Sequence, residues 1–166
     1  IIKSLKLMQR KGASDRYYAN DEVGLLITGV GSNIIEKQLV NIIKEISPVA
    51  LLNIGICGTT DKKCDIGTIF YVNKVRCDKT MKVFFPDTLV KTNIPNSSLV
   101  TFDCPQMDYT KHLKIKYNYL VDMESAILFR ILQREYGPHK FQILKIVSDH
   151  LSNKDFSRVR VQELME

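Results

Sequence analysis

No apolar run in this chain approaches the roughly 18 residues that a membrane-crossing helix needs. The N-terminus carries Lys3, Lys6, Arg10 and Lys11 but no long apolar core, so it is not a signal peptide. It has no initiating Met either, and the expectation is that the natural product begins earlier. Cysteine is sparse and unpatterned: Cys57, Cys64, Cys77 and Cys104 form no CxxC pair. With His112, His139 and His150 scattered there is no zinc signature, and the thiols are expected to be reduced and mostly buried. No bias towards disorder is present, since 45% of residues are hydrophobic and 25% charged. These absences leave a soluble, cytoplasmic globular protein, and 166 residues suit one domain spanning the whole chain.

What is there begins with charge. The net charge is +6, with Lys62, Lys63, Lys74, Arg76, Lys79 and Lys82 around the middle and Lys111, His112, Lys114 and Lys116 as a second cluster. A basic surface can meet nucleic acid, but no recognition motif or aromatic stacking platform accompanies it. Solvated faces account for most of the excess.

Along the chain, Ile1 to Lys11 reads as a short helix or the end of one, and Tyr17 and Tyr18 as strand residues in a polar connection. Val23 to Val30 is a continuous apolar run that suits a strand covered on both faces. It ends at Thr28-Gly-Val-Gly31 before a helix from Ile34 to Ile46, an arrangement read first as a tight turn and second as a loop bringing backbone N–H groups to an anion or sugar. The next strand, Val49 to Ile54, also ends in glycine, at Asn53-Ile-Gly55-Ile-Cys-Gly58. Thr68 to Val75 reads as a central strand, Arg76 to Asn96 as turns around a short strand or a loop over a cleft, and Ser98 to Phe102 as a further strand. Met107 to Lys116 is expected to be helical, Lys140 to Val147 to be the last strand, and Asp155 to Glu166 a closing helix. Alternating strands and helices imply an α/β fold, a three-layer α/β/α domain around a mostly parallel mixed sheet.

The rest is organised around Tyr119 to Leu132, a strand end running into a helix that opens with Asp122, Met123 and Glu124. As an N-cap, Asp122 accepts an orphan backbone N–H, and Glu124 gains from the positive end of the helix dipole. Capping explains both acids. The helix has almost no polar face, however, so Glu124 is either buried with it or opens onto a cleft. In an open α/β sheet the ligand lies beyond the carboxyl ends of the strands, and those ends carry Gly29 and Gly31, Gly55 and Gly58, Asp103, Asp122 and Glu124, and Ser148 and Asp149. Ser148-Asp149 serves equally well as a cap for the succeeding segment.

Thr28-Gly-Val-Gly31, Asn53-Ile-Gly-Ile-Cys-Gly58, Asp65-Ile-Gly-Thr68, Val121-Asp-Met-Glu124 and Ile146-Val-Ser-Asp149 occur in the order and approximate spacing of the nucleoside phosphorylase superfamily. The chain resembles its nucleosidase branch, which includes methylthioadenosine/S-adenosylhomocysteine nucleosidase and futalosine hydrolase. The resemblance implies cleavage of the N-glycosidic bond of a purine nucleoside without a cofactor or metal. By that likeness Asp149, its pKa raised by burial, protonates or hydrogen-bonds the base at N7, with Ser148 helping to place it. Glu124 accepts hydrogen bonds from the ribose hydroxyls, Met123 packs on the sugar, and Gly29, Gly31 and Gly58 let backbone approach the ligand. The family also implies a homo-oligomer, a dimer or larger.

Departures from the family pattern bear on the reaction. Ile56 stands where relatives use a Ser or Thr for phosphate or the attacking water, and no arginine follows Gly31 or precedes Gly55 to hold phosphate. Both favour hydrolysis over phosphorolysis. Cys104-Pro105-Gln106 replace the usual base-stacking Phe, with Gln106 counted among the substrate-binding residues. The family's water-activating Glu would fall at or before Ile1, which leaves a catalytically silent nucleoside-binding member as the rival reading.

Overall fold

The structure, a computed structural model, describes residues 1–10, 16–28, 32–87, 90–103, 118–136, 140–151 and 163–164. Its elements are β1 (Met8–Gln9), β2 (Tyr17–Ala19), β3 (Gly24–Leu26), α1 (Ser32–Ile46), β4 (Leu51–Thr59), β5 (Ile69–Cys77), β6 (Val83–Phe84), β7 (Asn96–Thr101), β8 (Leu120–Asp122), α2 (Ser125–Tyr136) and β9 (Phe141–Asp149). The chain divides into two compact units, Ile1–Val49 and Ala50–Glu166.

In the first unit, β1, β2 and β3 form an antiparallel sheet in that order. Asn20 closes the β2–β3 turn, its side-chain oxygen accepting from the backbone N–H groups of Glu22 at 2.9 Å and Val23 at 2.7 Å. The expected N-terminal helix is absent: residues 2–6 turn, with Lys6 at φ 51°, and the chain then pairs with β2. A segment this short is marginal as a helix, and pairing with a neighbouring strand satisfies the same backbone. The expected strand from Val23 to Val30 is also shorter. β3 has three residues, and Val23 and Ile27 flank it at 40% and 41% exposed. Among the described residues it pairs with β2 alone, and the apolar run is half-covered there rather than buried on both faces. In α1, Leu39, Ile42 and Ile43 are buried at helical spacing while Asn41, Lys44 and Glu45 are exposed. The helix ends where Ser47 turns left-handed and Pro48 follows.

The second unit is built on a six-stranded mixed sheet ordered β6-β5-β7-β8-β4-β9. β5 pairs parallel with β7, β7 with β8, and β4 with β9; β4 and β8 are antiparallel. β5 also meets β9 antiparallel, from Ile69–Ile146 to Tyr71–Leu144, so five strands close on themselves. The central position expected of β5 follows from its three partners. α2 packs on β5, β7 and β9, with the Phe129 ring 5.2 Å from that of Phe84 and 5.8 Å from that of Phe141. Ala126, Leu128, Phe129, Ile131 and Leu132 are buried and Arg130 and Gln133 exposed, close to the buried helix expected.

β4 runs through Gly55 and Gly58 rather than stopping before them. Its parallel ladder with β9 extends from Leu51–Phe141 to Gly58–Asp149, with a register shift between Cys57 and Gly58. The expected helix at Met107–Lys116 lies outside the described residues; of the closing helix only Glu163 and Leu164 are described, and they are helical.

Candidate active site

Asp122 ends β8 with its carboxylate buried and fully engaged. Thr101 Oγ1 donates to Oδ1 at 2.7 Å, and Ser125 donates to Oδ2 from its backbone N at 3.0 Å and its hydroxyl at 2.5 Å. Thr101 Oγ1 in turn accepts from Ala126 N at 3.0 Å, so β7, β8 and the start of α2 are tied at one point. Asp122 therefore caps, as its sequence position suggests. The helix begins at Ser125, though, so both acids precede its first turn, and the Glu124 carbonyl receives the N–H groups of Ile127 and Leu128.

Beneath Asp122 lies Lys145, with no exposed surface. Its Nζ stands 3.0 Å from Asp122 Oδ2, at an angle outside hydrogen-bond geometry, and 4.0 Å from Glu124 Oε2. The two contacts act as charge against charge. Burial pulls the ammonium's pKa down, but Asp122 and then Glu124 pull it up further, and the balance lies above the ordinary lysine value. Gly55, in register with Lys145 on the neighbouring strand, makes the room: a Cβ there would stand 3.0 Å from Nζ.

Glu124 differs from Asp122 although only Met123, itself half-buried, separates them. Its side chain is 22% exposed and, among the described residues, no hydrogen bond reaches its carboxylate. Burial raises its pKa, Lys145 lowers it and Asp122 raises it again, leaving it above the ordinary value. The dipole stabilisation expected from the sequence does not decide this group.

Asp149 ends β9. Its Oδ1 accepts from Leu151 N at 2.9 Å, and Ser148 Oγ lies 2.7 Å from its Oδ2 and 3.1 Å from the Cys57 carbonyl oxygen. One hydroxyl hydrogen thus faces two oxygens. Leu151 holds a left-handed φ of 58° while its side chain is buried with Val100, Phe102 and Val121, so packing offsets the backbone strain. Gly58 sits between the acid-bearing strand ends, paired with Val121 of β8 and Asp149 of β9. A Cβ on it would run into Leu151 Cδ2 and stand 3.0 Å from Asp149 Oδ1. Cys57 beside it is buried; burial pushes its thiol well up, Lys145 pulls it down, and Asp122 and Asp149 push it up again. It is a packing thiol within the field of both acid clusters.

No family model matches the sequence, and no curated protein matches it either. Solved structures do. The 5′-methylthioadenosine/S-adenosylhomocysteine nucleosidase of Neisseria meningitidis, in complex with methylthio-immucillin-A, is similar at a TM-score of 0.73 and 16% identity over 98% of this chain and 86% of that one. The S-adenosylhomocysteine nucleosidase of Streptococcus pyogenes, with 5-methylthiotubericidin, gives 0.69 and 16% over 90% and 80%. The nucleosidase of Chlamydia trachomatis bound to MTA gives 0.65 and 14% over 97% and 81%.

The chain has the methylthioadenosine/S-adenosylhomocysteine nucleosidase fold.

That likeness bears out, for the fold, the resemblance read from the motifs. Within this nucleosidase fold Asp122, Met123, Glu124, Ser148, Asp149 and Gly58 gather at the ends of β8, β4 and β9. Gly29, Gly31 and Gln106 lie outside the described residues. Lys145 and Thr101 belong to no motif in the sequence, and Gly55 reads there as the end of its strand. One signal was there: Phe141, Ile143, Lys145 and Val147 alternate along β9, which puts a lysine in a buried apolar register.

Proposed function

We propose that the protein is a nucleosidase that hydrolyses the N-glycosidic bond of a purine nucleoside of the methylthioadenosine, S-adenosylhomocysteine or futalosine type. The observation that carries this reading is the contrast at the end of β8: Asp122 is saturated by protein donors while Glu124 keeps a partly exposed carboxylate without a hydrogen bond among the described residues. Such a group is suited to accept from two ribose hydroxyls. The fold shared with nucleosidases bound to nucleoside analogues supports the same assignment.

In this mechanism Asp149 supplies a proton to the base as the glycosidic bond breaks, and Glu124 and Met123 hold the sugar as positive charge develops on it. Ser148 Oγ, 2.7 Å from Asp149 Oδ2 and 3.1 Å from the Cys57 carbonyl oxygen, orients the acid in this reading. Gly58 lets Asp149 lie against β4. Gly29, Gly31 and Gln106 complete the substrate contacts in this reading, which also takes residues 1–166 as one domain, a cytoplasmic enzyme and a homo-oligomer. Ile56, placed in the middle of β4 with no hydroxyl to offer, favours water over phosphate as the acceptor.

The test is incubation with 5′-methylthioadenosine, S-adenosylhomocysteine, futalosine, adenosine and inosine, with and without phosphate, following free base by chromatography. Release without phosphate is expected, and Asp149→Asn should abolish it. Release only with phosphate would identify a phosphorylase. Nucleoside binding with no release would favour the non-catalytic reading that Ile56 also permits.

A further inference from the structure

We propose that Lys145 is a positioning residue for Glu124: from β9 it keeps that carboxylate ionised and directed at the ribose, through a buried triad with Asp122. The inference rests on the nucleosidase reading for its ligand, but not for its electrostatics.

Asp122 takes three hydrogen bonds from Thr101 and Ser125 without help from the lysine. The ammonium is therefore not needed to satisfy Asp122's oxygens. It is needed because two carboxylates two residues apart cannot both stay charged in a water-poor site without a counter-charge. Lys145 Nζ lies between them, 3.0 Å from one and 4.0 Å from the other, and its complete burial means that solvent does little to dilute its field. Among the described residues, the charged groups acting on Glu124 are Lys145 from β9 and Asp122 from β8; those acting on Lys145 are Asp122, Glu124 and the Cys57 thiol from β4. Lys145 is the one attractive partner Glu124 has among them. A protonated Glu124 keeps one acceptor oxygen but offers a hydrogen where a ribose hydroxyl needs a second acceptor, so loss of the ammonium becomes loss of sugar recognition.

Gly55 belongs to the same device. Its missing side chain leaves the space that Nζ occupies, so the glycine fixes where the positive charge sits.

The experiment has two readouts. Carboxyl-carbon NMR follows the titration of Glu124 in the ligand-free protein, and calorimetry follows 5′-methylthioadenosine binding against pH. In Lys145→Met the Glu124 midpoint should rise by about one unit, and binding should weaken by up to about tenfold below the wild-type midpoint, the difference fading as pH rises past the variant's midpoint. Lys145→Arg should recover most of both, because a cation is restored. Gly55→Ala keeps every charge but meets the flexible lysine tip, and should move the midpoint the same way by less. A purely structural lysine would lower stability and leave the midpoint in place. An unchanged midpoint in Lys145→Met overturns the inference; if that variant does not fold, an unchanged midpoint in Gly55→Ala does so. Shifted midpoints in the variants, together with a wild-type protein that binds no nucleoside, would support the role of Lys145 and defeat the nucleosidase reading.

Discussion

Asp122 and Glu124 are two residues apart, yet one belongs to the scaffold and the other keeps a partly exposed carboxylate. Burial and partners make the difference: Asp122 receives two hydroxyls and a backbone N–H and faces an ammonium, whereas among the described residues Glu124 has only the far side of that ammonium. Removing one member of a buried pair strands the other, so Lys145→Met should lose about 3–5 kcal/mol of unfolding free energy, measured by urea titration. Of the residues involved, the acids were legible in the sequence because each follows an apolar strand, where few alternatives exist for a carboxylate. Lys145 was not. A lysine is ordinarily solvated, and only its place in the alternation of β9 separates it from the many surface lysines of a chain with +6 net charge.

At the scale of the element, one hydroxyl, that of Thr101, touches β7, β8 and α2 at once. Thr101→Val leaves Asp122 Oδ1 and the Ala126 N–H without that partner, and should cost about 2 kcal/mol while loosening the first turn of α2, seen as faster amide exchange there. Gly58→Ala forces Leu151 or Asp149 aside and should destabilise by about 1–3 kcal/mol, with free-base release falling further than stability. The long strands β5 and β9 were legible because each is rich in apolar and β-branched residues and bounded by turn residues. β4 is longer than its sequence suggests because glycine usually marks a strand's end. Here two glycines stay inside the ladder, since the space they leave is filled by Lys145, Leu151 and Asp149 from β9 and just beyond it. The short strands β1 to β3 carry too few residues for either periodicity to declare itself.

For the whole molecule, two raised pKa values give the stability profile a definite sign. Ionising Glu124 is harder in the fold than in the unfolded chain, so its contribution is complete below its ordinary value of 4.5 and is lost as pH rises through the higher folded value. Lys145 behaves alike at the other end: its contribution is complete below 10.5 and disappears as pH rises past its higher folded value. Thermal unfolding followed from mildly acidic to strongly alkaline pH should show both steps, Glu124→Gln losing the first and Lys145→Met the second. The circular pairing of β5, β7, β8, β4 and β9 bears on assembly. Each of these strands has neighbours on both sides over part of its length, and the terminal position falls to β6, only two residues long. Among the described residues the second unit offers scant backbone for a foreign strand to zip onto. Copies of this chain should associate through side-chain surfaces, and concentrated solutions should resist cross-β fibre growth seeded from this sheet.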